Sequence, residues 1–268
     1  MTWHFTEDTA AFRAAAGAHL AAEATRNTAV LTLMDGADRL GWWAGPDGRT
    51  TAVLAVSRSG ALHLGAATEE AARALASRPG EEPVSVRGET AAVEAYARAS
   101  MRPWRPVVRM RLFRLGEPVP PDPAPAGRHR TAAARDVPLV AAWTREFAVA
   151  IGEEPAEDYT GFVAERISEG RLVLWEAPDG RPVSMAAVSR TIEGQARVHL
   201  VYTPPAERGN GYAAGATDAV GRVAAARDAT RILLFTDLSN PTSNALYQRL
   251  GYRPVTDHLG VEFSGTAG

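Results

Sequence analysis

The chain has 268 residues, of which 46% are hydrophobic, and a net charge of −2. That length suits one large domain or two of ordinary size with a proper core, and the small net charge gives no reason to expect nucleic acid or an anionic membrane surface as partner. There is no cysteine, which excludes disulfides, thiolate nucleophiles and cysteine-based metal sites together.

Met1–Asp8 has early acids and no apolar core, so it is not expected to be a signal peptide. No window approaches the roughly 18 uncharged apolar residues of a membrane span, and a cytoplasmic location is expected. Ala-rich Thr9–Thr25 reads as a helix capped by Thr6 or Thr9. Asn27–Leu33 reads as β-like. Leu40–Ala44 and Thr51–Val56 read as strands around the turn Gly45-Pro46-Asp47-Gly48. Residues 69–77 and 90–98 look helical. In Val107–Leu115, apolar residues alternate with Arg109, Arg111 and Arg114, as in a half-exposed strand. Gly116–Gly127 then holds five prolines, read off the sequence. Such a stretch favours extended polyproline II and marks a semi-rigid boundary. The predicted division is a domain at 1–115, a linker at 116–127 and a second domain at 128–268.

In the second part, Arg130–Ala134 reads as a short strand. Asp136 is expected to cap a helix through Val149, with Val140, Trp143 and Phe147 on its apolar face. Glu157 or Asp158 opens a helix to Glu169. Strands at 171–176 and 182–190 flank the hairpin turn Ala177–Arg181. Glu193-Gly194 leads into a strand at 196–203. A helix at 211–227, a strand at 231–236, a helix at 243–250 and a final strand pair between Tyr252 and Phe263 complete the order. This predicts an α/β (α+β) fold: a mixed, mostly antiparallel sheet flanked by helices.

The most telling stretch is Arg208-Gly209-Asn210-Gly211-Tyr212-Ala213, between an apolar strand and an Ala-rich helix. Glycines let the backbone approach a ligand closely, and a helix N-terminus favours an anion, so the expected ligand carries phosphate. A Walker A loop requires Lys, and all 29 basic side chains here are Arg, a bias read as codon usage. A dinucleotide fingerprint fits Gly209–Ala214 only in its relaxed form. Thr203–Arg208 interrupts the strand-to-glycine turn, and the next acid, Asp237, lies 26 residues past Gly211 rather than about 20.

The same stretch resembles the pyrophosphate motif of the GCN5-related N-acetyltransferase (GNAT) family, Gln/Arg-x-x-Gly-x-Gly/Ala. Asp237–Tyr252, with Asn240, Asn244 and Tyr247, resembles that family's second signature. The two motifs stand in family order, and the resemblance covers roughly 128–264. Residues 1–115 carry neither motif, but their element order resembles a degenerate copy of the same fold. The resemblance implies acetyl-CoA as co-substrate. It implies that the amides of Gly209, Asn210, Gly211, Tyr212 and Ala213 cradle the pyrophosphate, with Arg208 adding charge. It places Val201, Tyr202 and Thr203 beside the pantetheine, with Pro204 and Pro205 ending sheet pairing and helping to open the cleft. Asn240 and Asn244 bond the pantetheine arm. Tyr247 is the implied general acid, a phenol with pKa near 10 that donates to the departing thiolate.

The base is less defined. His199 lies four residues before Thr203, which places both on one strand face. Glu146, Glu153, Glu154, Glu193 or a water are alternatives. The six histidines show no metal-ligand spacing and there is no cysteine, so no metal is expected, and His129 reads as solvated. The expected activity is acetyl transfer to a primary amine of a small molecule or peptide by direct attack in a ternary complex. A longer acyl donor, an oxygen acceptor, or an acyl-CoA-binding module without turnover stay open, as does a homodimer.

Overall fold

The computed structural model describes residues 1–80 and 82–264. In chain order the elements are β1 (Thr2–Thr6), α1 (Thr9–Ala22), α2 (Thr28–Leu33), β2 (Arg39–Ala44), β3 (Thr50–Val56), β4 (Ala61–Leu64), α3 (Glu69–Ala76), β5 (Ser85–Glu89), α4 (Thr90–Ala99) and β6 (Trp104–Leu115). They continue as β7 (Arg128–Thr131), α5 (Val137–Ala150), α6 (Thr160–Ser168), β8 (Leu172–Glu176), β9 (Pro182–Val188), β10 (Gln195–Tyr202), α7 (Tyr212–Ala225), β11 (Arg231–Asp237), α8 (Pro241–Arg249) and β12 (Tyr252–Phe263). The second run of ten repeats the first in type and order. The fold is mixed α/β with mostly antiparallel strand pairs, as the alternating and helical periods predict.

The chain forms two compact units. Among the described residues, the first comprises 1–112, 236–241 and 254–264. Its strands run β1-β2-β3-β4-β5-β12. All these neighbours are antiparallel except β4 and β5, which pair in parallel from Ala61↔Ser85 to His63↔Arg87. Its core gathers Trp3, Trp43, Leu54, Leu62, Leu75, Val93 and Tyr96 between sheet and helices.

Several expectations change here. Asp8, not Thr6 or Thr9, caps α1, its carboxylate accepting from the Ala10 N–H at 2.8 Å. The β-like stretch 27–33 is a helix. Asn27 is fully buried; its side chain accepts from the Ala66 N–H at 2.7 Å, while its carbonyl accepts from Leu31 and starts the helical ladder. Tertiary bonding there overrides the β-branched residues' local preference. The expected final strand pair is one strand, β12. Gly260 lies mid-strand opposite Arg87, where an added Cβ would meet Val108 at 2.6 Å, so this glycine serves close packing and not a turn.

The second unit comprises 113–235 and 242–253. Its strands run β11-β10-β9-β8-β7, antiparallel except for the parallel β10–β11 pair. One face packs under α7 and α8 through Val173, Trp175, Val198, Ala216, Val220, Leu234 and Tyr247. The other packs under α5 and α6 through Val140, Trp143, Val163, Leu174, Met185, Leu200 and Tyr202. Asp136 precedes α5 as expected, but its carboxylate binds the Ala133 N–H and Arg130 instead of the first helical amides. Both aligned Arg130–carboxylate bonds depress its pKa.

Candidate functional site

β10 and β11 pair only from Gln195↔Arg231 to Val198↔Leu234, although β10 runs on to Tyr202. At the same point β10 slips against β9. His199 faces Ala187 and Tyr202 faces Met185, so three steps on one strand oppose two on the other. The extra residue is a β-bulge, with Leu200 at φ 52°. Positive φ is uncommon for a non-glycine side chain and is stored strain, of the kind that gathers at functional sites.

The bulge changes which side chains share a face. Val198 packs toward α7, while Leu200 and Tyr202 pack toward α5 and α6, and Val201 packs back toward α7. Two sequence expectations are revised by it. The period of two breaks at Leu200, so four-residue spacing no longer puts His199 and Thr203 on one face. The strands part at Val198, before Pro204 and Pro205 are reached. No residue type announces a bulge at a leucine, and the sequence carries no signal for it.

Beyond β10 comes the glycine turn. Gly209 has φ 85° and Gly211 has φ 77°. Gly211 is the N-cap of α7 and offers no side chain to it. The first amides of a helix lack intrahelical partners. An added Cβ at Gly209 would meet open space, and one at Gly211 would touch only Pro125, at 3.5 Å. The turn is thus open toward solvent and suited to a phosphate. Arg208 folds back, its Nε donating to the Thr203 carbonyl at 3.1 Å, and Asn210 Nδ2 donates to the Glu207 carbonyl at 3.1 Å. Thr203 Oγ1 lies 2.9 Å from Ser184 Oγ, which also donates to the Tyr202 carbonyl at 3.0 Å. Tyr212 and Ala213 are half-buried at the helix start.

The first unit offers a contrast at the equivalent place in its element order. After β4, the Ala66 amide is filled by Asn27, and α3 is capped by Thr68, which accepts from the Ala71 N–H at 3.2 Å. Gly65 has no room for a Cβ, since Asn27 Oδ1 would stand 2.3 Å away. That turn is closed by its own side chains.

Asn240 is exposed and precedes Pro241, the first residue of α8; its N–H donates to the Asp237 carbonyl at 3.1 Å within the segment 236–241. Asn244 lies half-buried in the first part of α8. Tyr247 is buried, and its ring meets Tyr252 edge-on with centroids 6.0 Å apart. Burial pushes its pKa up to about 12, so its phenol is fully protonated at neutral pH.

His199 is held neutral. Burial, then the nearby Arg166, Arg197 and Arg171, push its pKa down to about 3. Glu146 accepts a hydrogen bond from the Tyr202 hydroxyl at 2.7 Å. Burial first, then Glu146, push that phenol up to about 12. Glu153 and Glu154 are exposed after α5, and Glu193 sits in the turn before β10, at the end of that strand away from the bulge. His129 is exposed and opposes Trp175 in the β7–β8 pair. Among the described residues no group of three potential metal ligands is found, and no helix is long and apolar enough to cross a membrane.

A family model described as the acetyltransferase (GNAT) family matches residues 138–252. Residues 138–252 form a GNAT-family domain. Solved structures agree in fold. A GNAT-family acetyltransferase from Colwellia psychrerythraea aligns with TM-score 0.63 at 12% identity, over 98% of this chain and 100% of its own. A GCN5-related N-acetyltransferase from Sphaerobacter thermophilus gives 0.62 at 18%, covering 97% and 94%. One from Kribbella flavida gives 0.60 at 20%, covering 92% and 95%. The likeness in fold extends over nearly the whole chain, across both runs of elements. No curated protein sequence matches. The GNAT domain contains the bulged β10, the open glycine turn, α7, Asn244 and Tyr247.

Proposed function

We propose that the second unit transfers an acetyl group from acetyl-CoA to a primary amine. The observation that carries this reading is the coincidence of the β-bulge and strand parting after Val198 with the uncapped turn at Gly209 and Gly211. The amides of Gly209, Asn210, Gly211, Tyr212 and Ala213 would hold the pyrophosphate. Val201, Tyr202 and Thr203 would run beside the pantetheine, with Asn244 bonding its arm.

The amine nitrogen attacks the thioester carbonyl carbon directly, and no acyl-enzyme is formed. As the C–S bond breaks, Tyr247 gives its proton to the leaving sulfur. The enclosure that raises the phenol also disfavours a free thiolate, which keeps that transfer within reach. Glu146 accepts a hydrogen bond from a β10 side chain beyond the bulge, and it is the proposed acceptor of the amine's proton. His199, at about 3, is too weak a base for this task.

Calorimetric titration with acetyl-CoA of the wild type and of Gly211→Trp tests the reading. Micromolar binding by the wild type and its loss in a folded Gly211→Trp are expected. A folded wild type that does not bind sinks it. Competition by longer acyl-CoA chains sets donor preference, and turnover with an amine library separates an enzyme from a module that only binds.

A further inference from the structure

The Pro-rich segment 116–127 is not a free spacer, because the second unit holds both its ends. At one end the Gly116 N–H donates to the Gly251 carbonyl at 3.0 Å and the Val119 N–H to the Leu250 carbonyl at 3.2 Å, just past α8. At the other, Trp175 Nε1 donates to the Ala126 carbonyl at 2.9 Å. Gly127, at φ 99°, packs on the Glu176 backbone so closely that an added Cβ would stand 1.9 Å from its carbonyl oxygen.

Between these anchors Pro125 reaches the glycine turn. Its Cβ lies 3.5 Å from where a Gly211 Cβ would stand. Four residues on, a Cβ at Gly215 would meet the Trp175 ring at 2.6 Å. One indole therefore packs on α7 through its ring and fixes the strap through its nitrogen. Pro125 is thereby fixed beside the residue that opens the turn, and having no N–H and a locked φ it walls the turn without competing for an anion.

We propose that the segment 121–126 is the outer wall of the phosphate end of the site, with Pro125 adjoining the pyrophosphate. The inference rests on the acetyl-CoA reading above. Its consequence is that charge at position 125 sets affinity for the nucleotide half of the donor and leaves the thioester half untouched.

The test is calorimetry with acetyl-CoA at low salt on the wild type, Pro125→Ala, Pro125→Glu and Pro125→Arg, each checked for folding by circular dichroism. A charge several ångströms from a pyrophosphate changes affinity roughly three- to tenfold in a solvent-like dielectric, less as salt is added. Pro125→Glu should weaken binding by that factor and Pro125→Arg should tighten it, with Pro125→Ala near the wild type. With S-acetylpantetheine, which has no pyrophosphate, kcat/KM should be the same for the Glu and Arg variants. A wild type that binds acetyl-CoA while the Glu and Arg variants stay within twofold of each other overturns the wall. A shift of the same sign in both variants overturns it too, since only packing would then be at work. A folded wild type that does not bind overturns the reading beneath it.

Discussion

The Tyr202 hydroxyl donates to Glu146 Oε2 across 2.7 Å, tying the residue just past the β-bulge to helix α5. The bond places a carboxylate where the strand has left its neighbour. If Glu146 takes the amine's proton, Glu146→Gln should lower kcat by about 10²-fold, the lower range for general-base help. Tyr202→Phe keeps the carboxylate but frees it, and should cost less. Steady-state kinetics with a reactive amine decides: a kcat within twofold of wild type in Glu146→Gln removes Glu146 from the chemistry.

Tyr247 gives two separable outcomes. As general acid, its replacement in Tyr247→Phe should lower kcat by about 10²-fold with little change in acetyl-CoA affinity. As a buried phenol, its pKa of about 12 against the ordinary 10 makes stability depend on pH. A raised pKa contributes fully below the unfolded value and is lost as pH rises through the folded one. Stability should thus fall between about pH 10 and 12, by up to about 1.4 kcal/mol per pH unit from this residue. Urea melts of both proteins across that window should show a shallower fall in Tyr247→Phe. Equal slopes would mean that the phenol is not buried.

Much of the second unit was legible in the sequence. Gly209 and Gly211 mark the turn because no other residue enters that backbone region freely, and the Ala-rich run read as a helix at 211–227 is α7, Tyr212–Ala225. Tyr202–Glu146 was not legible, because a contact 56 positions apart depends on how α5 packs. Leu200 hid the bulge behind an ordinary apolar alternation. Asn27 misled in the opposite way: its helix is started by a buried bond to Ala66 that no local pattern contains. The two-unit element repeat is visible in outline, while β1, β4 and β5 carry little signal because each is short and soon followed by a helix.

His199 carries the opposite sign from Tyr247. Its pKa, about 3 against an ordinary 6.5, means that unfolded chains take up a proton in acid while folded chains do not. The contribution is complete above about pH 6.5 and is lost as pH falls toward 3. Urea melts at pH 4.5 and 7.5 should show His199→Gln losing less stability on acidification than the wild type. The kcat/KM profile should lack a histidine limb near 6.5; a limb that disappears in His199→Gln would restore this residue as the base.

Asn27 tests why the first unit's turn is closed. Asn27→Ala strands the buried Ala66 N–H and removes a side chain that is fully enclosed. An orphaned buried donor costs about 1–3 kcal/mol, which denaturant melts would register. Because Asn27 fills the Ala66 amide and Thr68 caps α3, wild-type calorimetry should find one acetyl-CoA per chain. Two sites of similar affinity would mean that the closed turn opens.

Gly215 sets two effects against each other. Alanine in a helix interior is favoured over glycine by about 1 kcal/mol. At this position, however, the new Cβ would stand 2.6 Å from the Trp175 ring. The ring cannot swing aside without breaking its 2.9 Å bond to the Ala126 carbonyl. Overpacking of this kind costs typically about 1–3 kcal/mol, so the clash should win. Gly215→Ala is expected to lower Tm and, by displacing the Trp175-held strap, to weaken acetyl-CoA binding as well. In Trp175→Phe, which frees the strap, the same glycine change should cost less stability. A double-mutant cycle by denaturant melts measures that coupling, and additive effects would show that Trp175 is not what makes Gly215 necessary.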